Sequence, residues 1–170
     1  MNEIELKILE IKVEEVRKKL KALGAEKKEK VEIHALHFDY PNLQLKEKKE
    51  LLRLRRVGER TELCFKGKSK EGHFRVSEEI EVQTDSFEKT IDILKRVGLI
   101  IRSESKKTRE SYTFGKMHFE IDTFPKVPSF LEIECPSKEE IENWVQRLGY
   151  TLDQTTNMTG GEVLEYYKKK

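Results

Sequence analysis

Apolar and polar residues alternate along most of this chain, which is the pattern of β-strands whose two faces meet different surroundings. The two segments around Gly58 form a predicted hairpin, and so do the segments that flank Gly115. Because short connections join most of the segments, the sheet that they form should be largely antiparallel. The predicted strands are residues 2–9, 28–40, 51–57, 61–67, 74–83, 99–114, 116–123 and 130–135.

Between the strands, apolar residues recur at helical spacing and predict amphipathic helices. Ser137, followed three positions later by Glu140, is typical of a capping box at a helix start. The sequence contains neither an internal repeat nor a linker, so we expect one α+β domain over residues 1–170. The helices are predicted at residues 12–23, 86–97, 137–148 and, at the C-terminus, 161–170.

The charged residues of these strands fall on one face. In the first strand, Glu5 and Lys7 alternate with Leu6 and Ile8. Strand after strand carries two acids or two bases at positions i and i+2, with few Ser or Thr residues between them. This face collects the bases Lys7, Arg53, Arg55, Lys66, Arg75, Lys107 and Arg109 and the acids Glu3, Glu5, Glu79, Glu81, Glu120, Asp122, Glu132 and Glu134.

Two arrangements account for charge on one face. A sheet that packs its apolar face on a core would expose its charged face to water. Solvated strand faces usually include Thr and Ser, however, and these faces are almost uniformly charged. In the other arrangement, the strands close around a charged lumen with their apolar faces beneath the helices, which leaves room for one small ligand. We therefore predict a closed eight-stranded antiparallel β-barrel with a charged lumen.

Charges that point into a barrel must be paired or bound to a ligand, because an unpaired buried charge is very costly. Converging Arg and Lys residues suit a polyanion, since a guanidinium binds phosphate oxygens in a bidentate manner. Clustered carboxylates suit hard cations such as Mg²⁺ or Mn²⁺. The pattern predicts a metal–polyphosphate site, although the sequence has no GxxxxGK[ST] phosphate loop.

Composition narrows the choice of partners. The 34 basic and 32 acidic residues nearly cancel, so we expect neither nucleic-acid nor membrane binding. No apolar run reaches the roughly 20 residues that span a bilayer, and the N-terminal segment does not resemble a secretion signal. We therefore expect a cytoplasmic protein. Cys64 and Cys135 lack the spacing of metal ligands and are expected to be buried free thiols.

The order of the charged motifs resembles the CYTH superfamily, the triphosphate tunnel metalloenzymes. EIELK at residues 3–7 is similar to the family's ExExK signature. The succession covers nearly the whole chain and implies an eight-stranded antiparallel tunnel. The motifs that follow are LRLR at 52–55, LCFKG at 63–67, the pair Glu79 and Glu81, KTR at 107–109, EID at 120–122 and FLEIE at 130–134.

This resemblance implies a division of roles. It makes Lys7, Glu5 and Glu134 the catalytic residues. The acids Glu79, Glu81 and Glu120 would support the lumen. Triphosphate would be bound by Lys7, Arg53, Arg55, Lys66, Lys107 and Arg109, with Arg75 added because it shares their face, and Mg²⁺ or Mn²⁺ would be held by Glu3, Glu5, Asp122, Glu132 and Glu134.

The EIELK opening is most similar to the class IV adenylyl cyclases and their archaeal relatives, which implies conversion of ATP to cyclic AMP and pyrophosphate. An inorganic, nucleoside or thiamine triphosphatase is the alternative enzyme, and a non-catalytic polyphosphate or nucleotide binder is the third hypothesis. The implied partner is a small-molecule triphosphate, and the cyclase resemblance allows a homodimer. His34 and His37 stand where related triphosphatases tend to carry a tyrosine, and we expect them to be packing or polar residues.

Overall fold

The computed structural model describes residues 2–70 and 72–170, with side chains from Ile4 onward. Its elements follow the predicted order closely. The strands are β1 (Asn2–Ile8), β2 (Glu26–Asp39), β3 (Leu51–Val57), β4 (Arg60–Lys66), β5 (Arg75–Thr84), β6 (Ile100–Phe114), β7 (Met117–Thr123), β8 (Phe130–Cys135) and β9 (Thr155–Thr156). The helices are α1 (Val13–Ala22), α2 (Gln44–Glu47), α3 (Phe87–Arg96), α4 (Lys138–Arg147) and α5 (Gly160–Lys168).

The strands form one sheet in the order β5–β4–β3–β2–β6–β7–β8–β1–β9. Neighbours along the chain, such as β3 and β4 or β6 and β7, pair in antiparallel hairpins. A further pairing joins β5 to β1, so that the eight longer strands close on themselves. The closed eight-stranded antiparallel β-barrel predicted from the alternation is therefore confirmed.

The chain is organised as two compact units. The first unit comprises Asn2, Val31–Lys70 and Ser77–Lys107. The second unit comprises Glu3–Lys30, 72–76 and Thr108–Lys170. Four strands, β1, β2, β5 and β6, contribute residues to both units. The prediction of a single domain stays a prediction.

In the second unit, the apolar strand faces pack against α1 and α4. Leu6 and Phe119 are fully buried in this cluster with Ile133. Trp144 on α4 packs at an angle against two aromatic rings, with its centroid 4.7 Å from that of Phe119 and 5.1 Å from that of Phe114. Burial of side chains of this size supplies most of the stabilisation of a small domain.

In the first unit, α3 places Phe87 and Leu94 against β2 and β3, where Leu54 is fully buried. The prediction that the apolar strand faces lie beneath helices is wrong for the C-terminal part of β5. There, Ile80 and Val82 are 59% and 53% exposed. The physical reason is that the apolar face of α3 packs on β2 and β3 and its cluster includes no residue of β5.

A helix cap and the two cysteines agree with the sequence predictions, whereas a short strand does not. Ser137 accepts a hydrogen bond from the backbone N–H of Glu140, as its N-cap position predicts. Cys64 and Cys135 are buried free cysteines, which is confirmed. The two-residue strand β9 was not predicted; it pairs with Lys7 and Ile8 of β1. Among the described residues, no helix is both long enough and apolar enough to cross a membrane.

Candidate metal and polyphosphate site

Strand register brings the predicted acids of the second unit together. Glu5 of β1 lies opposite Glu134 of β8, and Lys7 lies opposite Glu132. On the other side of β8, Glu120 is the partner of Glu132. Residues directly opposite each other on one face have Cβ atoms about 5 Å apart, so the strand register makes these carboxylates neighbours.

Glu5, Glu132 and Glu134 form a compact carboxylate group. One oxygen atom from each lies within 4.8 Å of the others, and both Glu5 and Glu132 are buried. Three carboxylates at this separation match the oxygen donors that Mg²⁺ and Mn²⁺ prefer. These residues therefore fit a hard divalent cation, as the sequence predicted for all three.

Lys7 lies between two members of this group. Its side chain is 2% exposed, and Nζ lies 2.8 Å from Glu5 Oε1 and 2.7 Å from Glu132 Oε2. Burial acts to lower the pKa of Lys7, but the attraction of Glu132 and Glu5 outweighs burial, and the pKa is raised. Lys7 is therefore a charged, enclosed ammonium in contact with the predicted metal ligands.

Arg109 is anchored in the same unit by acids of two strands. Its Nε and Nη2 each donate at 2.7 Å to Asp122, and Nη2 also donates at 3.1 Å to Glu132. Asp122 is fully buried, and this bidentate pair fixes the plane of the guanidinium. Asp122 is thus the anchor of a predicted phosphate-binding base, and its predicted role as a metal ligand stays a prediction.

The remaining predicted residues of the second unit lie on the same strand faces. Arg75 Nε is 3.4 Å from Glu5 Oε1. The Ser111 hydroxyl donates to Glu120 at 2.5 Å, and burial raises the pKa of Glu120. The predicted metal ligand Glu3 lies outside the described side chains.

In the first unit, the register of β3, β4 and β5 aligns bases with acids. Arg53 lies opposite Cys64, and Cys64 lies opposite Glu81. The three predicted bases are all engaged by carboxylates. The ion pairs join Arg55 to Glu62 (2.5 Å) and Glu81 (3.1 Å), Lys66 to Glu79 (2.8 Å), and Arg53 to Glu79 (3.8 Å) and Glu81 (3.9 Å).

Glu62 was not among the predicted site residues, although it shares the face of Cys64 and Lys66. Cys64 forms a second compact group with Glu79 and Glu81, and its thiol donates to Glu79 at 2.8 Å. Burial raises the pKa of Cys64 to about 12, so the sulfur stays protonated near neutral pH. Because a thiol must lose its proton to bind a metal, the carboxylate group of the second unit is the better metal candidate.

His37 belongs to a cationic cluster of the first unit. It lies opposite Arg53, and its Nδ1 is 3.0 Å from the Ser103 hydroxyl oxygen. Burial, together with the charges of Arg53, Arg102 and Lys107, lowers the pKa of His37 to about 4. His37 is therefore a neutral ring among cations.

His34, by contrast, lies on the face that α3 covers. Its Nε2 is 2.7 Å from Glu104, and its ring centroid is 5.3 Å from that of Phe87.

Arg102 is a further base that the strand pattern did not select, and its Nη1 lies 3.8 Å from the buried carboxylate of Asp39. Asp39 also accepts backbone hydrogen bonds from Tyr40 and Leu45, so it fixes the end of β2.

Comparison with known proteins identifies the class. The CYTH domain model matches residues 1–160, so the chain belongs to the CYTH family. This family includes adenylyl cyclases and triphosphatases that bind triphosphate substrates and use divalent metals. The superfamily resemblance of the charged motifs is thereby confirmed. No curated protein matches the sequence.

Solved structures share the fold over nearly the whole chain. The PH1012 protein from Pyrococcus horikoshii is 24% identical, with a TM-score of 0.82 over 95% of this chain and 98% of that chain. A candidate adenylate cyclase from Vibrio parahaemolyticus is 18% identical, with a TM-score of 0.86 over 96% of this chain and 97% of its own. The candidate adenylyl cyclase HpAC1 from Hippeastrum, described as having a dominant triphosphatase activity, is 16% identical, with a TM-score of 0.69 over 99% of this chain and 96% of its own.

Proposed function

We propose that this protein is a metal-dependent enzyme that transfers a phosphoryl or nucleotidyl group of a bound triphosphate. The observation that carries the proposal is the group of Glu5, Glu132 and Glu134, whose carboxylate oxygens lie within 4.8 Å of one another in a CYTH chain. Carboxylates of this kind, close together and mostly buried, are favourable only when cations compensate them.

The carboxylate group would hold Mg²⁺ or Mn²⁺. A cation in this position supplies Lewis-acid stabilisation of phosphoryl oxygens and lowers the pKa of a bound nucleophile. Among the predicted ligands, we assign Glu5 and Glu134 to the cation that would activate the nucleophile. Oxygen donors alone do not distinguish Mg²⁺ from Mn²⁺.

The bases would bind the phosphate oxygens. Carboxylates contact Arg53, Arg55 and Lys66 in this structure. A triphosphate would be a stronger hydrogen-bond acceptor than these carboxylates because it carries more negative charge. Because phosphoryl transfer needs little covalent chemistry from the protein, positioning and charge neutralisation by such bases supply most of the catalysis.

Cyclisation of ATP is the first candidate reaction, supported by the similarity of the EIELK opening and by the Vibrio protein. The ribose 3′-oxygen forms a bond to the α-phosphorus, the bond between that phosphorus and the bridging oxygen breaks, and pyrophosphate leaves. The proton of the 3′-hydroxyl passes to solvent or to a nearby carboxylate.

Hydrolysis of a triphosphate is the second candidate, and the activity described for HpAC1 favours it. A water oxygen forms a bond to the terminal phosphorus, and the bond between that phosphorus and the bridging oxygen breaks. The products are orthophosphate and the remaining diphosphate, and the proton of the water passes to solvent. The residues that bind the triphosphate are the same in the two reactions, so the products decide between them.

The test is to incubate the purified protein with ATP, and separately with inorganic triphosphate, in Mg²⁺ or Mn²⁺, and to resolve the products by ion exchange. Cyclic AMP with pyrophosphate would establish the cyclase, and orthophosphate without cyclic AMP would establish a triphosphatase. Triphosphate binding with no metal-dependent product would contradict the enzyme proposal and favour the non-catalytic binder. Excess chelator is the control, and it should abolish either reaction.

A further inference from the structure

The ammonium of Lys7 contacts the same carboxylates that fit a metal. Nζ lies 2.8 Å from Glu5 and 2.7 Å from Glu132, and both residues belong to the compact group that Glu134 completes. A lysine ammonium and a divalent cation are both hard, positively charged partners of carboxylate oxygens. The two would therefore draw on the same lone pairs.

We propose that Lys7 is an internal competitor of the metal: in the metal-free protein its ammonium occupies Glu5 and Glu132, and a divalent cation binds there only as Lys7 leaves. The inference rests on the proposed function, because it takes this carboxylate group to be the metal site. It assigns Lys7 a regulatory role in addition to contact with substrate.

Charge compensation explains why Lys7 lies there. Three neighbouring carboxylates with little access to water repel one another unless cations lie among them. Lys7 is 2% exposed, Arg75 approaches Glu5 at 3.4 Å, and Arg109 donates to Glu132 at 3.1 Å. These bases supply the compensation without a metal. Once a dication binds, Lys7 is no longer needed there, and the repulsion between the dication and the ammonium favours its departure.

Lys7 is also held less rigidly than Arg109, the neighbouring base on Glu132. Arg109 is fixed by two parallel hydrogen bonds to Asp122, and such a fork holds its geometry. The Lys7 ammonium is a point charge on a flexible four-carbon stem, so it can turn to another anion without moving the strand. Metal binding would thus release one positive charge for the phosphate oxygens at the moment when the substrate needs it.

Mn²⁺ alone, titrated into metal-free protein by calorimetry and by electron paramagnetic resonance, tests the competition. Lys7→Met should bind Mn²⁺ about tenfold more tightly than the wild type. Lys12→Met is the matched control, because it removes the same charge from a side chain that is 79% exposed, and its affinity should stay within about twofold. Unchanged or weaker Mn²⁺ binding by folded Lys7→Met would overturn the proposal.

Two further variants keep the test decisive if Lys7→Met folds poorly. Lys7→Arg retains the charge in a fork that holds carboxylates more firmly, so it should bind Mn²⁺ more weakly than the wild type. Mn²⁺ affinity equal to or above that of the wild type would contradict the competition. Glu134→Gln added to Lys7→Met should remove the gain in affinity, which places the gain at this site.

The same titrations separate failure of this inference from failure of the proposed function. If the wild type binds Mn²⁺ in a way that Glu134→Gln abolishes, and Lys7→Met binds it no better, only the competition is wrong. If no variant binds Mn²⁺ at this group, with or without inorganic triphosphate, the metal site itself is wrong and the competition fails with it.

Discussion

The two compact units differ in how acids and bases are arranged on their charged strand faces. In the first unit, three bases of β3 and β4 contact acids that lie on β4 and β5, and His37 lies among further cations. In the second unit, three glutamates of β1 and β8 converge, and one buried lysine lies between two of them. The alternation of each strand is the same in both units. The difference is that the register of the second unit also places like charges side by side, with Glu5 opposite Glu134 and Glu120 opposite Glu132.

This difference indicates how the chain separates two tasks. A base whose carboxylate partners are only partly buried, as Glu79 and Glu81 are beside Arg53, can exchange those partners for phosphate oxygens. Carboxylates that are buried together need a compensating cation and so favour a metal. This difference can be tested by removing a charge from either unit and measuring whether metal-dependent turnover or substrate affinity is lost.

The largest effect is expected from Glu134→Gln in the second unit. The substitution keeps the size of the side chain and removes one negative charge from the group with Glu5 and Glu132. Loss of residues that only support a metal site costs 10–100-fold, so loss of a ligand should lower kcat by about 100-fold or more. Product formation measured against ATP and inorganic triphosphate checks this, with triphosphate binding in chelator expected to persist.

Glu78→Gln is the matched control for that experiment. Glu78 lies on β5 outside the alternating charged set and is exposed, so its turnover should equal that of the wild type. If Glu134→Gln retained full activity, Glu134 would have no role in metal binding.

A loss of substrate affinity is expected from Arg55→Ala in the first unit. Truncation removes a guanidinium that contacts Glu62 and Glu81, and it leaves those acids to repel an incoming polyanion. We expect kcat/KM to fall about 30-fold, mostly through KM. Steady-state kinetics with the triphosphate that proves to be the substrate measures this.

Arg56→Ala is the matched control for Arg55→Ala. Arg56 is the next residue of β3, points to the opposite face, and pairs with Glu88 at the start of α3. Its kinetics should be those of the wild type. Equal losses in the two variants would mean that the effect comes from general charge and not from one strand face.

A pH dependence of stability is expected from His37. The pKa of His37 is lowered from 6.5 to about 4 in the folded chain. Between these values the unfolded chain binds a proton that the folded chain does not, so stability falls as the pH drops through this window and is unaffected above it. At pH 5 the loss relative to pH 7.5 should be between about 1 and 2 kcal/mol.

Urea unfolding of the wild type and of His37→Gln at pH 7.5 and pH 5 measures this contribution. Both proteins share the titration of their carboxylates, so the difference between the two pH-dependent losses isolates the imidazole. Identical losses would show that His37 does not lie among cations in the folded protein.

The smallest effect is expected at the exposed outer face of β5. Ile80→Thr alters a side chain that is 59% exposed, so the free energy of unfolding should change by less than about 0.5 kcal/mol. Leu54→Ala, beneath α3 in the same unit, should cost about 3 kcal/mol. A large loss of unfolding free energy from Ile80→Thr would indicate that another surface covers β5 in solution. A partner subunit in a homodimer would be such a surface.

Much of this fold could be predicted because two-residue periodicity is a local property of the sequence. The parity of Glu5, Arg53 and Glu132 assigned each to a charged face before any pairing was known. The closure of the sheet was also predicted, because solvated strand faces usually include Thr and Ser, whereas these faces are almost uniformly charged.

The partners of each charge could not be predicted, because they depend on register between strands distant in sequence. The contact of Arg109 with Asp122 needed the β6–β7 register, and the surroundings of His37 needed the positions of Arg102 and Lys107 on β6. The exposure of Ile80 was missed for a similar reason, since the pattern of β5 does not reveal which strands a helix covers.

The most direct measurement is a crystal structure with Mn²⁺ and a non-hydrolysable triphosphate analogue, with Mn²⁺ located by its anomalous signal. We predict that Mn²⁺ binds to carboxylate oxygens of Glu5, Glu132 and Glu134 and that phosphate oxygens bind to Arg53 and Arg55. Mn²⁺ bound at Glu79 and Glu81, or a triphosphate that contacts none of the first unit's bases, would contradict it.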